Sequence, residues 1–396
     1  MVAVGDAAAW SEADWSARMR ADFPYRPGRV YLESAGAGLP VPGAAEAAAE
    51  HFRELGRLGA KGQPGWHDRA AQLRDRTGLL LGVPASEVQF FRGTSELLIL
   101  AAASIRWRPG DEILVLQDDF PSVRLPWAQA EAAGAVMRWV ESGDREARTE
   151  QLLTAITPRT RVVAVTHVHA TTGTRVDLGR LGRACREVDA LLLVDGIEAL
   201  GAVPVDLEHV DVYSAAVFKW LLSGMGLGVG YVSPRAREAM TPASRGYRNP
   251  PPSDRLEYME PPFPLLDVFA RTLDYVGELG WPAVHARVDA LAASVRHVLA
   301  EAGLEIVTPA NARAGILSAR HADAGGLVDE LAARGIDVMH KFGLLRVSPH
   351  FYNTHEDVER FAAALGEALA ARRQRPRSSS TSAKDVAKRR ISSRVL

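Results

Sequence analysis

Residues 211–228 read Asp211-Val-Tyr-Ser-Ala-Ala-Val-Phe-Lys219-Trp-Leu-Leu-Ser-Gly-Met-Gly-Leu-Gly228. The first half is a short apolar run typical of a buried strand, and the glycines that follow predict a loop. Lys219 stands where the strand gives way to that loop. Upstream, Leu191-Leu-Leu-Val-Asp195 is a second apolar run, and it ends in a single carboxylate. The two runs therefore predict buried strands that each end in a charged side chain.

A lysine and an aspartate in these positions suit the cofactor pyridoxal 5'-phosphate (PLP). Lys219 would form a Schiff base with the cofactor, and Asp195 would keep the pyridine nitrogen protonated so that the ring accepts electrons. We therefore predict an enzyme with Lys219 and Asp195 as its catalytic residues. His167 and His169 would share one face of a strand, but no third metal ligand accompanies them, so no metal site is predicted.

Strand and helix signals alternate from Val88 to Tyr231, which predicts βαβ units and an α/β fold with a mainly parallel central sheet. A Pro-rich stretch, 245–264, ends this region, and helical signals and a small α/β unit follow it. We predict an N-terminal arm (1–30), a large domain (31–264), a smaller α/β domain with a linking helix (265–371) and a disordered basic tail (372–396). Binding of an acidic partner is the alternative to a solvated tail.

The composition is that of an ordinary globular protein. Of 396 residues, 47% are apolar and 24% are charged, and the net charge is −1. This balance argues against nucleic acid or a membrane surface as a partner. We expect neither export nor a membrane span, because no basic and apolar leader precedes the chain and no apolar run approaches roughly 20 residues. The single cysteine, Cys185, fits a reducing compartment and predicts a cytoplasmic protein.

The segment Arg92-Gly-Thr-Ser-Glu96 has the pattern of an anion site. A strand ends, the glycine permits a tight turn, and a helix begins at Thr94 and Ser95. Free N–H groups and two hydroxyls therefore meet at a helix N-terminus, which is suited to the cofactor phosphate. An ordinary helix cap is the alternative interpretation.

Several motifs follow one another in an order that resembles one protein family. They are Arg92-Gly-Thr-Ser-Glu96, Asp118-Asp-Phe-Pro-Ser122, the stretch 166–177, Asp195-Gly-Ile-Glu198 and the stretch 344–357. Together they resemble the class V aminotransferase-like group of fold type I PLP enzymes, in particular its isopenicillin N epimerase-like and selenocysteine lyase/cysteine desulfurase-like branches. The resemblance implies a fold type I PLP-dependent transferase that is a homodimer and takes a small-molecule amino-acid substrate.

The resemblance also implies roles for single residues at the cofactor. Phe120 matches the aromatic ring that stacks on the pyridine, and His169 or Thr171 would reach the ring hydroxyl or the substrate. Asp195 matches the partner of the pyridine nitrogen, and Glu198 stands where the family has a Gln beside the ring oxygen. An ionised Glu198 would repel that oxygen, so we expect it to be protonated or turned toward a basic neighbour.

On the substrate side, Arg346 matches the family's arginine for the α-carboxylate. A planar guanidinium suits this task because it can bind a carboxylate through two hydrogen bonds. A structural ion pair is the alternative. Ala35 and Gly36 match a small-residue turn that lines the substrate pocket.

The sequence departs from the family pattern around the lysine and the phosphate. Phe218 replaces a common His, Ala216 replaces a Ser or Gly, and the Gly-Thr that reaches a neighbouring subunit's phosphate is replaced near Glu260-Pro-Pro262. We therefore expect a weaker phosphate site, or one completed by Arg245, Arg248 or backbone groups.

A persulfide-forming cysteine desulfurase is not predicted, because in this family it needs a cysteine just before the substrate arginine, and residues 335–346 contain none. The prediction is an enzyme acting at the α-amino group and Cα of an amino acid, either an aminotransferase or a C–S (β-elimination) lyase. An amino-acid epimerase is the alternative within the family. Two alternatives lie outside this class of enzymes. One is a non-catalytic paralogue, and the other is a nucleotide-binding protein, which the glycines of 224–230 suggest.

Overall fold

The structure, a computed structural model, describes residues 10–142, 148–311 and 314–374. Its helices are α1 (Glu12–Asp22), α2 (Ala44–Leu58), α3 (Gln63–Leu81), α4 (Thr94–Ser104), α5 (Pro121–Arg124), α6 (Ala128–Ala132), α7 (Arg148–Ala155), α8 (Leu178–Glu187), α9 (Pro234–Ala239), α10 (Phe263–Leu279), α11 (Trp281–Glu301), α12 (Ala324–Ala333) and α13 (His355–Gln374). Its strands are β1 (Val30–Tyr31), β2 (Val88–Phe91), β3 (Glu112–Leu116), β4 (Val136–Val140), β5 (Thr160–Thr166), β6 (Leu191–Asp195), β7 (Val212–Ala216), β8 (Gly228–Val232), β9 (Glu305–Ile306), β10 (Leu317–Arg320), β11 (Ile336–Asp337), β12 (Met339–Lys341) and β13 (Leu344–Val347). Helix α13 includes the first three residues of the predicted basic tail, and residues 375–396 lie outside the described ranges.

Seven strands form the central sheet in the order β2-β8-β7-β6-β5-β3-β4. Strands β7, β6, β5, β3 and β4 run parallel, whereas β8 is antiparallel to both of its neighbours. One face packs on α3, α8 and α10, and the other on α4 and α6. This burial on both faces explains the continuous apolar runs of β6 and β7, and it confirms the predicted α/β fold with a mainly parallel sheet.

The carboxyl ends of the parallel strands define the edge of the sheet where the polar residues collect. Strand β6 ends at Asp195, β5 ends at Thr166, and Lys219 follows β7. Strand β2 points the same way as β7, so α4 begins at the same edge with Thr94. In open α/β sheets this edge is where ligands bind.

The C-terminal part of the chain forms a second sheet, which is antiparallel and has the order β12-β13-β10-β9. Its inner face packs on α11, α12 and α13. The N-terminal strand β1 pairs in parallel with β11 and so joins this part of the chain. None of the helices in the described ranges has the length and apolarity that crossing a membrane requires.

Candidate active site

The loop that carries Lys219 is held from both ends. Val217 N donates to the Leu227 carbonyl, and Ser223 N donates to the Val217 carbonyl. A third contact comes from the turn after β1, where Gly38 N donates to the Phe218 carbonyl over 2.9 Å. A Cβ atom at Gly38 would lie 2.0 Å from the Lys219 carbonyl oxygen, so only glycine allows this approach. The lysine is therefore fixed at the sheet edge by contacts distant in sequence.

The amine of Lys219 forms an ion pair with Glu198. Lys219 Nζ donates to Glu198 Oε1 over 2.6 Å, and Trp220 Nε1 donates to Glu198 Oε2 over 3.0 Å. The Glu198 side chain is fully buried. Each carboxylate oxygen thus has a donor, and Glu198 is turned toward a basic neighbour.

Asp195 lies close to this pair in an apolar setting. It is 1% exposed, and its Oδ1 accepts a hydrogen bond from Ile197 N over 3.0 Å. Burial raises the pKa of Asp195 to about 7, against the lowering effect of the Lys219 charge. Within the described ranges no lysine or arginine nitrogen lies within 4.0 Å of its carboxylate. The group can therefore share a proton with a basic nitrogen placed opposite it.

The N-terminus of α4 forms one end of the site. Gly93 precedes the helix and makes no side-chain cap, so the N–H groups of the first turn remain available. Thr94 Oγ1 accepts from Ala216 N over 2.9 Å, which leaves its hydroxyl proton free to donate. Ser95 Oγ lies 2.7 Å from Ser122 Oγ. Together these groups can hold an anion.

Phe120 contributes an aromatic wall to the site. Asp119 precedes it, and the Asp119 carboxylate accepts from Phe120 N over 2.7 Å and from Thr166 N over 3.0 Å. These bonds tie the loop after β3 to the end of β5. The Phe120 ring remains 37% exposed, so a flat ligand can pack against it.

A single cavity of about 460 Å³ joins most of these groups. Six predicted site residues line it: Thr94, Ser95, Phe120, Asp195, Glu198 and Lys219. Arg92, Ser122, Met225, Ala216 and Phe218 also line it. The sequence motifs therefore converge on one pocket large enough for a cofactor with a substrate.

His169 lies outside the lining of this cavity. Its Nε2 is 3.0 Å from the Asp118 carbonyl and its Nδ1 is 2.9 Å from Thr172 Oγ1, and burial lowers its pKa. Its neighbour His167 lies near Tyr213, and burial lowers the pKa of His167 to about 3. Across the described part of the chain no group of three metal-ligating side chains occurs. Both histidines are thus placed as neutral hydrogen-bonding groups.

Arg346 does not line the cavity, but it is hydrogen-bonded to a residue that does. Its Nη1 donates to the carbonyl of Ala170, which lines the cavity, over 2.6 Å. Its Nη2 lies 2.9 Å from Met339 Sδ, and its buried Nε has no partner. Gly36 is adjacent, because a Cβ atom there would lie 4.0 Å from Arg346 Nη2 and 3.1 Å from Met339 Cε. Ala35 precedes it and its N–H donates to Ser348 Oγ.

Several residues around the site were not found from the sequence. Trp220 donates to the Glu198 carboxylate, and the Asp119 carboxylate accepts from the Phe120 amide. Each is next in sequence to a predicted site residue, and this adjacency was the only indication of its role in the sequence. Met339 gave no such signal, because a methionine in a short strand is ordinarily core. Of the three departures from the family pattern, Ala216 and Phe218 line the cavity, whereas Glu260-Pro-Pro262 is not part of its lining. Arg245 donates to backbone carbonyls and Arg248 lies 3.8 Å from Glu260, and neither arginine lines the cavity.

Comparison with known proteins extends over most of the chain. The family model "Aminotransferase class-V" matches residues 30–361. Isopenicillin N epimerase from Amycolatopsis lactamdurans is 31% identical over 333 residues, which cover 74% of this chain and 83% of the relative. A probable cysteine desulfurase from Aeropyrum pernix is 28% identical over 409 residues, covering 90% and 98%.

The fold itself has close counterparts among solved structures. A mutant of the protein C-DES, with glycine covalently linked to its PLP cofactor, superposes with a TM-score of 0.81 at 19% identity, over 88% of this chain and 99% of that one. At that level of identity the match shows a shared fold.

Proposed function

Because the chain belongs to the class V aminotransferase family and is a PLP-dependent enzyme of that fold, we propose that it acts at the Cα of an amino acid through Lys219. The supporting observation is the cavity that Lys219 shares with Asp195, Phe120 and the N-terminus of α4. A primary amine, a buried carboxyl group, an aromatic face and an anion site within about 460 Å³ are the parts that PLP needs.

The residues present fit the cofactor. Asp195 would hold the ring nitrogen, because a buried carboxyl group with one backbone hydrogen bond lacks a cationic partner. Thr94, Ser95 and the first-turn N–H groups of α4 would hold the phosphate, and Phe120 would pack on the ring. When bound, PLP supplies an electron-accepting ring that stabilises negative charge at the substrate Cα.

Lys219 is the residue proposed to move the proton. Its Nζ would be the group that holds the cofactor covalently, and as a free amine it would take the proton from the substrate Cα. Glu198 Oε1, 2.6 Å away, keeps Nζ in place during this exchange. Trp220 holds the second carboxylate oxygen, so Glu198 is positioned from both sides.

Arg346 is proposed to bind the substrate α-carboxylate. Its guanidinium is buried, lacks a carboxylate partner among the described residues and carries an unpaired Nε. A carboxylate is a better acceptor than the Met339 thioether that now faces Nη2. Substrate binding therefore requires the Met339 side chain to move aside.

We propose transamination or β-elimination as the overall reaction, with epimerisation as the alternative. Return of the proton to Cα would give epimerisation, its delivery to the cofactor would give transamination, and loss of a β-substituent would give elimination. The relatives carry the names isopenicillin N epimerase and probable cysteine desulfurase. A persulfide on the protein is not part of the proposal. Cys185 is fully buried in α8, burial raises its pKa to about 12, and the segment before Arg346 has no cysteine.

The test is the visible spectrum of the purified protein with added PLP, before and after borohydride. We expect a yellow band that borohydride removes and that Lys219→Ala lacks, since that variant has no amine at the site. Lys61→Ala, at an exposed lysine, is the control and should keep the band. A panel of amino acids scored for keto acid, released sulfide and racemisation then separates the three reactions.

A colourless wild-type protein that PLP cannot convert would overturn the proposal. It would favour the competing interpretation, a non-catalytic paralogue whose altered phosphate site no longer holds the cofactor. Sulfur transferred to a protein cysteine would contradict the exclusion of the desulfurase reaction.

We also propose that the protein is a homodimer and is cytoplasmic. The dimer is supported by exposed apolar side chains, Met225 in the lining of the cavity and Leu125 in an adjoining groove. The compartment is supported by the single cysteine, which suits a reducing environment.

A further inference from the structure

Two cationic side chains lie near one another on the C-terminal sheet. Arg346 is 2% exposed and Lys341 is half-buried, with its ammonium 5.0 Å from the centre of the Phe342 ring. Within residues 10–142, 148–311 and 314–374, no carboxylate oxygen lies within 4.0 Å of either cation. Arg346 instead contacts the Met339 sulfur and the Ala170 carbonyl, and Lys341 lies over the Phe342 ring. A buried or half-buried cation with such partners is stabilised when an anion is added.

The strand register places both cations on the same face of that sheet. Met339 pairs with Arg346 and Lys341 pairs with Leu344. Residues directly across an antiparallel pair share a face, and so do alternate residues of one strand. Lys341 is therefore the diagonal neighbour of Arg346, roughly 7–8 Å away between Cα atoms. Leu345, the residue between the two pairs, points into the helical core on the other face.

The shared face is directed toward the catalytic lysine. Arg346 donates to the carbonyl of Ala170, and Ala170 lines the cavity together with Lys219. Burial lowers the pKa of Lys341, and the charges of Arg346 and Lys219 lower it further, whereas Glu198 raises it. The Lys341 ammonium is therefore within electrostatic range of the groups around the reacting amine.

Two of the carboxylates in the neighbourhood, Glu198 and Asp337, already have other partners. Glu198 accepts from Lys219 and Trp220, and Asp337 accepts from Arg29. Glu33 is half-buried; burial and the charge of Asp337 raise its pKa, and the charge of Arg346 lowers it. Among the described residues none of these carboxylates lies within 4.0 Å of Arg346 or Lys341, so both cations remain open to an anionic ligand.

We propose that the substrate is an amino acid whose side chain ends in an anionic group, with Arg346 binding the α-carboxylate and Lys341 binding the second anion. The inference rests on the proposed function, because it names the substrate class for the same site. A carboxylate and a sulfinate share the required chemistry. Lys341 is in this view a specificity-determining residue, since it touches the far end of the substrate and takes no part in proton transfer.

The direct test measures binding without turnover. Succinate and glutarate, which have two carboxylates and no amine, are compared with butyrate by isothermal titration calorimetry on the purified holoenzyme. We expect the dicarboxylates to bind the wild type about tenfold to a hundredfold more tightly than butyrate. Lys341→Gln should abolish that preference and leave the butyrate affinity unchanged. Lys341→Arg should retain the preference, and Lys61→Gln, at an exposed lysine, should behave as wild type.

Turnover then identifies the side-chain anion. The value of kcat/KM is compared for aspartate with asparagine, for glutamate with glutamine, and for cysteine sulfinate with cysteine. A preference for an acidic member that Lys341→Gln removes supports the inference, and the best pair distinguishes a carboxylate from a sulfinate. Equal binding of succinate and butyrate, or a preference that survives Lys341→Gln, would overturn it.

The two proposals fail in different ways. A yellow, borohydride-sensitive protein without any dicarboxylate preference refutes only the role of Lys341. A protein without the Lys219-dependent band refutes the proposed function. The calorimetric preference for dicarboxylates, and its loss in Lys341→Gln, are measured without any reaction at Cα.

Discussion

Asp195 is the residue whose chemistry is most altered by its surroundings. The same carboxyl group in water would be ionised at neutral pH, but burial raises its pKa to about 7. Among the described residues, its hydrogen-bond donor is the Ile197 amide. A positive charge placed beside this carboxyl group would favour its ionised form, and a protonated ring nitrogen would provide that charge.

Asp195→Asn should change the pH dependence of stability in the cofactor-free protein. The pKa of about 7 in the folded chain exceeds the value near 4 in the unfolded chain, so the folded chain binds one more proton between these pH values. Wild-type stability contributed by this group therefore falls as pH rises from about 4 to about 7. Because Asn has no proton to lose, the stability of the variant relative to wild type should rise with pH by up to about 1.4 kcal/mol per unit.

Urea unfolding of both proteins from pH 5 to pH 8.5 measures this difference. Asp68→Asn, at an exposed aspartate of α3, is the matched control and should show a difference that does not vary with pH. A flat difference for Asp195→Asn as well would mean that Asp195 is ionised in the folded protein throughout this range.

Among the elements, the loop after β7 depends on the turn after β1. Gly38 donates to the Phe218 carbonyl, and it approaches Lys219 so closely that no side chain fits between them. Strand β1 itself pairs with β11 in the C-terminal part of the chain. The reactive lysine is therefore positioned by a segment that also contacts the part of the protein carrying Arg346.

Gly38→Ala is expected to destabilise the protein and to disturb the lysine loop. The added Cβ would meet the Lys219 carbonyl oxygen at 2.0 Å, so backbone has to shift, at a cost of about 1–3 kcal/mol. Gly56→Ala is the control, because Gly56 is in helix α2 and a Cβ there meets nothing within 4 Å. That control should be neutral or stabilising by up to about 1 kcal/mol. Denaturant unfolding measures both, and equal stability of the two variants would refute the close contact.

At the scale of the whole molecule, apolar side chains are exposed in the cavity lining and in the groove beside it. Leu125 is 73% exposed, Met225 is 69% exposed and Ile99 is 52% exposed. Leu125 and Ile99 line a groove that shares Ser95 and Ser122 with the cavity. Contiguous exposed apolar side chains at a functional site are typical of a surface that another chain covers.

The corresponding prediction is a homodimer of twice the 42.8 kDa chain mass. Leu125→Glu should shift the protein toward the monomer, because a charge buried in an apolar interface lacks a partner. Leu79→Glu is the matched control, since Leu79 is 84% exposed in a separate groove, and it should leave the dimer intact. Light scattering at micromolar concentration measures the masses. A monomeric wild type would contradict the prediction, and a dimer unaffected by Leu125→Glu would place the interface elsewhere.

The sequence by itself determined the fold class, the family and the cofactor. Apolar runs of strand length between helical segments predicted the α/β sheet. The charged residues at their ends predicted PLP, with Asp195 as the last residue of β6 and Lys219 three residues beyond β7. These predictions succeeded because they depend on local signals, namely burial pattern and the residue type at a strand end. Strands β9, β10, β11 and β12 were not predicted. Strands β9, β11 and β12 have two or three residues each and β10 has four, and each gains its order from a partner strand.

The tertiary structure alone decided which side chains meet. It pairs Glu198 with Lys219 and Trp220, it puts His169 behind the cavity wall, and it sets Arg346 against Met339. It also brings Lys341 onto the face that Arg346 shares, which no motif indicated. The physical reason is that hydrogen bonds, ion pairs and burial depend on distances between segments far apart in the chain. A sequence pattern specifies the residue types at the site, whereas their partners are fixed only when the sheets and loops pack together.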